Sequence, residues 1–192
     1  MIQHRLATLA LALAVTAGWS VSTGHAAGKP KYFNLTSTDF RDGGKLPKKY
    51  AGNNPQNQNC DGENVSPELS WSGAPDGTKS YALMLYDTAG RAPLGVVHWL
   101  AYDIPATKTS LKEGEATNPS PDFKGGKSTM GKDTYFGPCP KKGDKAHPYV
   151  FTAMALDLAP DALAPGLDQT ALGDAVKGHV LASVSLVSRY GH

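Results

Sequence analysis

Tyr81-Ala82-Leu83-Met84-Leu85-Tyr86 and Val96-Val97-His98-Trp99-Leu100-Ala101-Tyr102 decide the fold class of this chain. Each is a nearly continuous apolar run of strand length. The first is entered from the turn Asp76-Gly77, and the second ends ahead of Pro105. Two more runs follow, Tyr149-Val150-Phe151-Thr152-Ala153-Met154-Ala155-Leu156 and Val180 to Val187, the latter alternating Ser183 and Ser185 with Val184 and Leu186. Continuous runs of this kind predict strands buried on both faces or deep in a sandwich. One segment carries helical spacing instead: Leu167, Ala171, Leu172, Ala175, Val176 and Val180. Asp168 can accept backbone N–H bonds at its start, and Gly178 sits where a helix stops. A short amphipathic helix is therefore predicted over about 168–178, with His179 counted in it.

Between these elements, Thr107 to Lys145 is rich in Gly, Pro, Ser and Lys and has little periodicity. That is too long for an inert connector in a compact domain, and long ordered loops on a β scaffold build sites. No internal repeat or second domain is evident. Upstream, Arg5, the apolar run Leu6 to Val15 and the small residues Gly24 and Ala26 form the three regions of a secretory signal peptide. Residues 1–26 are read as that signal and 27–192 as one domain. The run is too short for a membrane anchor and is broken by Thr8, with Thr16 just beyond it. No membrane span is expected after cleavage, and the expected location is periplasmic or secreted.

The whole chain has 192 residues, of which 40% are hydrophobic and 19% charged, which excludes a disordered chain, a coiled coil and a multi-span membrane protein. A formal net charge of +2 leaves no electrostatic footprint for nucleic acid. Lys45, Lys48 and Lys49, and again Lys141, Lys142 and Lys145, read as solvated loop charge. The two cysteines, Cys60 and Cys139, are too far apart for a redox CxxC motif, and only His147 lies near enough to add a zinc ligand. Export and an even count favour a Cys60–Cys139 disulfide.

Several motif searches fail. Gly126-Lys127-Ser128 lacks the first glycine of a phosphate loop, since Pro121 stands there. No GxSxG elbow and no HExxH zinc helix occur. What remains is a set of polar residues at strand ends. Asp87 ends the first run, His98 sits within the second, and His147 precedes the third with Tyr149 two residues on, facing the same way along an extended strand. Gly137-Pro138-Cys139-Pro140 lies just upstream. Singly, each has a plain structural role: a hydrogen-bonded core histidine, a turn-capping carboxylate, loop punctuation. Together, two imidazoles, a carboxylate, a phenol and loop amides are the parts of a small anion pocket.

In order along the chain, Ser66-Pro67-Glu68-Leu69-Ser70-Trp71, Tyr86-Asp87, Val97-His98-Trp99, Gly137-Pro138-Cys139-Pro140 and His147-Pro148-Tyr149-Val150-Phe151 resemble the motif blocks of the phosphatidylethanolamine-binding protein family, in its bacterial Raf-kinase-inhibitor-like branch. The resemblance implies a mainly β chain, an antiparallel β-sandwich with a few peripheral helices, one of them the short helix near the C-terminus. It implies a pocket for phosphate-like head groups lined by Asp87, His98, Gly137, Pro138, His147 and Tyr149. The chain departs from the family's Asp-Pro-Asp-Ala-Pro at Asp87-Thr88-Ala89-Gly90-Arg91, and Pro148 stands where the family commonly has Arg.

The resulting expectation is a non-enzymatic binder of a small phosphate- or carboxylate-bearing ligand, or of a partner protein through the same pocket, as a monomer or homodimer, with no catalytic residue, cofactor or metal. The alternatives are a hydrolase using Asp87 and the histidines, and a secreted inhibitor of a kinase or protease. His98 and His147 are expected to meet in space, where protonated imidazoles can hold the anion.

Overall fold

The structure, a computed structural model, describes residues 32–192. The segment read as a signal peptide lies outside the described residues. In chain order the strands are β1 (Asn34–Thr36), β2 (Gly44–Lys45), β3 (Leu69–Ser72), β4 (Ser80–Asp87), β5 (Val96–Pro105), β6 (Ser110–Leu111), β7 (Lys124–Gly125), β8 (His147–Leu156) and β9 (Val180–Tyr190). Helix α1 spans Gln169–Ala175, between β8 and β9. A small sheet runs β1-β3-β6, and a larger one runs β2-β9-β8-β4-β5-β7. The four long strands are the four apolar runs, and they pair antiparallel at the centre of the larger sheet.

The core lies between the sheets. Leu35, Leu69, Trp71 and Leu111 from the small sheet meet Leu83, Leu85, Trp99, Phe151 and Leu186 from the large one. On the outer face of β4 and β5 a second cluster joins Val97, Leu100 and Tyr102 to Leu163, Leu172 and Val176, so α1 and the segment before it form a lid over the sheet. This explains the continuous apolar runs: β4 and β5 are buried on both faces because each face has its own cover. β8 has a cover on one face along most of its length, with only Met154 and Leu156 joining the outer cluster. β8 and β9 alternate between buried and more open positions, so of the two settings expected for Tyr149–Leu156 the chain takes the sandwich one.

Two other expectations change. The described residues contain one α-helix and one 3-10 turn, Lys48–Tyr50, rather than several peripheral helices. The helix is also shorter than predicted. Asp168 caps it as foreseen, its side chain accepting from Ala171 N at 2.9 Å. The chain leaves helical geometry after Ala175 and reverses through Gly178 at φ +83°, a conformation that glycine adopts without strain. His179 therefore lies in the turn, not in the helix, and its Nδ1 meets Asp157 Oδ1 at 2.8 Å.

Of two register shifts in the β4–β5 pairing, the one between Leu85 and Tyr86 bears on the site. Tyr86 faces Val97, yet Leu85 faces Trp99, so His98 is one residue too many. In such a bulge two consecutive side chains fall on the same face. Val97 joins the outer cluster, Trp99 enters the core between the sheets, and His98 is turned to Trp99's side, at the end of the sheet where Asp87 and Val96 pair.

Candidate functional site

A cavity of about 530 Å³ opens at this end of the larger sheet. Three strands supply its base. Asp87 closes β4 and pairs in register with Tyr149 of β8, and on its other side with Val96 of β5. Asp87, His98 and Tyr149 are 3%, 5% and 0% exposed. His147, at the first position of β8, is less deeply set.

The hydrogen bonds fix what each group can do. Asp87 Oδ1 accepts from the backbone N–H of Ala89 at 2.9 Å and of Gly90 at 3.0 Å, folding the turn that follows β4. A Cβ on Gly90 would press on that carboxylate, so the turn needs glycine there. Asp87 Oδ2 accepts from His147 Nδ1 at 2.8 Å. The carboxylate is thus the turn cap and the orienter of an imidazole at once, with three N–H groups converging on it. His98 Nδ1 meets the Phe136 carbonyl at 2.8 Å. A carbonyl only accepts, so the proton is on Nδ1, and Nε2 is left without a partner among the described residues. Burial pushes the His98 pKa below the usual histidine value.

Tyr149 stands between the two imidazoles, edge-on to His98 with ring centroids 5.4 Å apart and stacked with His147 at 6.3 Å. The two histidines, 49 positions apart, are therefore brought together across one phenol, as expected. Burial, reinforced by Asp87, pushes the Tyr149 hydroxyl well above its usual pKa, so it remains an O–H donor. That hydroxyl is fully buried and has no hydrogen-bond partner among the described residues.

Gly137 and Pro138 do not line the cavity; Phe136, Cys139 and Pro140 do. Gly137 faces away, where a Cβ would overlap the Tyr50 carbonyl, and its N–H donates to Asn64 Oδ1 at 2.9 Å. The Pro138 carbonyl accepts from Gly52 N at 2.9 Å. Their part is to seat the loop that presents the Phe136 carbonyl to His98. Asn64, just ahead of Ser66-Pro67, grips the same loop through the Tyr135 carbonyl at 3.2 Å. The disulfide forms as expected, with Cys60 and Cys139 Cα atoms 4.7 Å apart, and both cysteines stand in the cavity wall.

The rim holds lysines that the sequence reading did not place there. Lys132 and Lys141 line the cavity, and so does Arg91, the departure from the motif expected to alter the rim. None of the three makes an ion pair among the described residues, whereas Lys48 and Lys142 pair with Asp61, and Lys49 with Glu113. Lys141 was read as solvated charge like its neighbours, and its place in the cavity wall sets it apart from them. Among the described residues no cluster suited to a metal ion occurs, and no helix is long and apolar enough to cross a membrane.

Fold and cavity together describe a two-sheet β protein with a pocket of small-ligand size at one end of its larger sheet. The family model of the phosphatidylethanolamine-binding proteins matches residues 36–191. Protein YbhB of Escherichia coli K12 is 35% identical over 159 residues, covering 81% of this chain and 98% of that protein. Among solved structures, Escherichia coli YbcL aligns with a TM-score of 0.75 at 30% identity, over 83% of this chain and 98% of its own. A homologue from Chlamydia trachomatis gives 0.72 at 31%, over 84% and 99%. The chain belongs to the phosphatidylethanolamine-binding protein family.

Proposed function

We propose that the chain is a non-enzymatic binding protein that takes a small phosphate-bearing head group, or a related anion, into the cavity between Asp87, His98, His147 and Tyr149. The observation that carries this reading is the Tyr149 hydroxyl, a buried donor without a partner among the described residues. Such a group costs free energy unless something accepts its proton, and a ligand oxygen is suited to do so. Arg91, Lys132 and Lys141 at the rim, without ion pairs among the described residues, favour an anion. His147, with Nδ1–H given to Asp87, offers Nε2–H to an anion when it is protonated. A protein partner would enter by presenting an anionic side chain to the same groups.

Titration calorimetry with O-phosphoethanolamine, followed by phosphorus NMR of the mixture, tests the reading. Saturable heat with the ligand recovered unchanged is expected; no heat overturns it. The Asp87–His147 pair is also an oriented base, and this favours a hydrolase as second reading. Against it, no serine or threonine lines the cavity among the described residues, and both cysteines there are bonded. Turnover that disappears in Asp87→Ala would reverse the ranking. The proposal includes export, supported by the signal-like N-terminal sequence and by the disulfide, a bond of oxidising compartments. An intact mass measured on protein from its own host, beginning at residue 27, is the expected result.

A further inference from the structure

His98 meets the cavity as an acceptor. Its one N–H is committed to the Phe136 carbonyl at 2.8 Å, a bond that leaves a lone pair on Nε2. Next to it, Tyr149 presents an O–H that has no acceptor among the described residues. The two rings are in edge-on contact, and both residues line the cavity. A fully ionised oxyanion satisfies Tyr149 but sets a lone pair against the lone pair of His98. A group that carries both a charged oxygen and a hydroxyl satisfies both.

Resting on the head-group reading above, we infer that the pocket selects a phosphate monoester in its singly charged form, whose P–OH donates to His98 Nε2 while another oxygen accepts from Tyr149, and that it discriminates against phosphate diesters, which have no P–OH. His98 is the specificity-determining residue. The charged groups that share the cavity agree with a single negative charge. Asp87 and Arg91 flank the end of β4, Lys132, Lys141 and Asp144 come from the irregular segment, and His147 stands at the start of β8. Three fixed cations face two carboxylates, one positive charge in excess. Burial keeps His98 from taking a second proton near neutrality, and so keeps it an acceptor.

The distinction separates two sources of one chemistry. A lipid head group held in phosphatidylethanolamine is a diester, whereas a free phosphorylated small molecule is a monoester. The full chain is titrated with O-phosphoethanolamine and with glycerophosphoethanolamine at pH 6, 7 and 8. The monoester is expected to bind at least about tenfold tighter at pH 6, because the diester leaves the His98 lone pair unpaired. Monoester affinity is expected to fall about tenfold between pH 7 and pH 8, as the singly charged form is depleted above a second pKa of about 6. Diester affinity is expected to stay flat over that interval.

In His98→Gln the side-chain amide can turn an N–H toward the ligand, and the preference is expected to shrink to about twofold. Equal binding of both ligands by the parent chain overturns the inference. So does a parallel fall of both with pH, which would mean that imidazole protonation drives binding. Silence with both ligands overturns the head-group reading itself, and the inference with it.

Discussion

Two Asp–His pairs bracket β8. Asp87–His147 sits at its start and Asp157–His179 just past its end, and each joins a carboxylate oxygen to Nδ1 at 2.8 Å. The contact is the same and the setting is not. In the first pair the side chains are 5% and 15% exposed, the carboxylate also holds a turn, and a phenol stacks on the imidazole. In the second they are 40% and 45% exposed, and water competes for every bond. A short Asp–His distance therefore marks a site only when burial and a cavity come with it.

That contrast can be broken experimentally, beginning where the effect is largest. The pocket end carries the Cys60–Cys139 bond, which closes a loop over a sequence separation of 79. Replacing both cysteines by serine is expected to lower stability by on the order of 4 kcal/mol on chain-entropy grounds, read from urea unfolding. An unchanged urea midpoint would mean that the disulfide adds nothing to this end of the molecule.

Asp87→Ala removes a buried carboxylate from His147 and from the N–H groups of Ala89 and Gly90. A loss of about 3 kcal/mol is expected. If Asp87→Ala and Asp157→Ala destabilise equally, burial is not what distinguishes the pairs. Binding sharpens the same point. His98→Ala and His147→Ala are each expected to weaken affinity for O-phosphoethanolamine by roughly 1–3 kcal/mol, and His179→Ala to leave it unchanged. Calorimetry on the three variants decides.

A further effect comes from pH. The His98 pKa is depressed in the folded chain, so between that lowered value and 6.5 the unfolded chain holds more protons. The stability His98 contributes is full above about pH 6.5 and is lost as pH falls toward the folded value, at up to about 1.4 kcal/mol per pH unit. Denaturant midpoints for the parent and His98→Gln, compared between pH 8 and pH 5, isolate this slope; parallel curves would mean that His98 is not held neutral. The smallest effect belongs to Asp157→Ala, expected within about 0.5 kcal/mol of the parent at pH 7 by thermal unfolding.

The parts legible in the sequence were those with a local cause. Four strands followed from runs of apolar residues, the helix start from Asp168, and the disulfide from export and an even count. The short strands β1, β2, β6 and β7, of two or three residues each, are too brief to show any period. At the site, the polar residues at strand ends led to Asp87, His98, His147 and Tyr149, and the motif blocks added Gly137 and Pro138. They could not tell which side of the Gly-Pro loop faces the cavity, because that depends on Tyr50 and Asn64, 87 and 73 positions away from Gly137. The surroundings of His98 were out of reach for the same reason: the Phe136 carbonyl that holds its Nδ1, and the burial that pushes its pKa below the usual histidine value, come from distant parts of the chain.

His98 and Trp99 share one irregularity of β5, and this ties a residue of the cavity to the hydrophobic interior. Deleting the extra position restores plain alternation, leaves Trp99 in the core and takes the imidazole out of the cavity. A lineage can vary the exposed Arg91 and Lys141 at little cost to folding, and so retune what is drawn to the mouth. A change that moves the imidazole therefore also bears on the indole packed in the core.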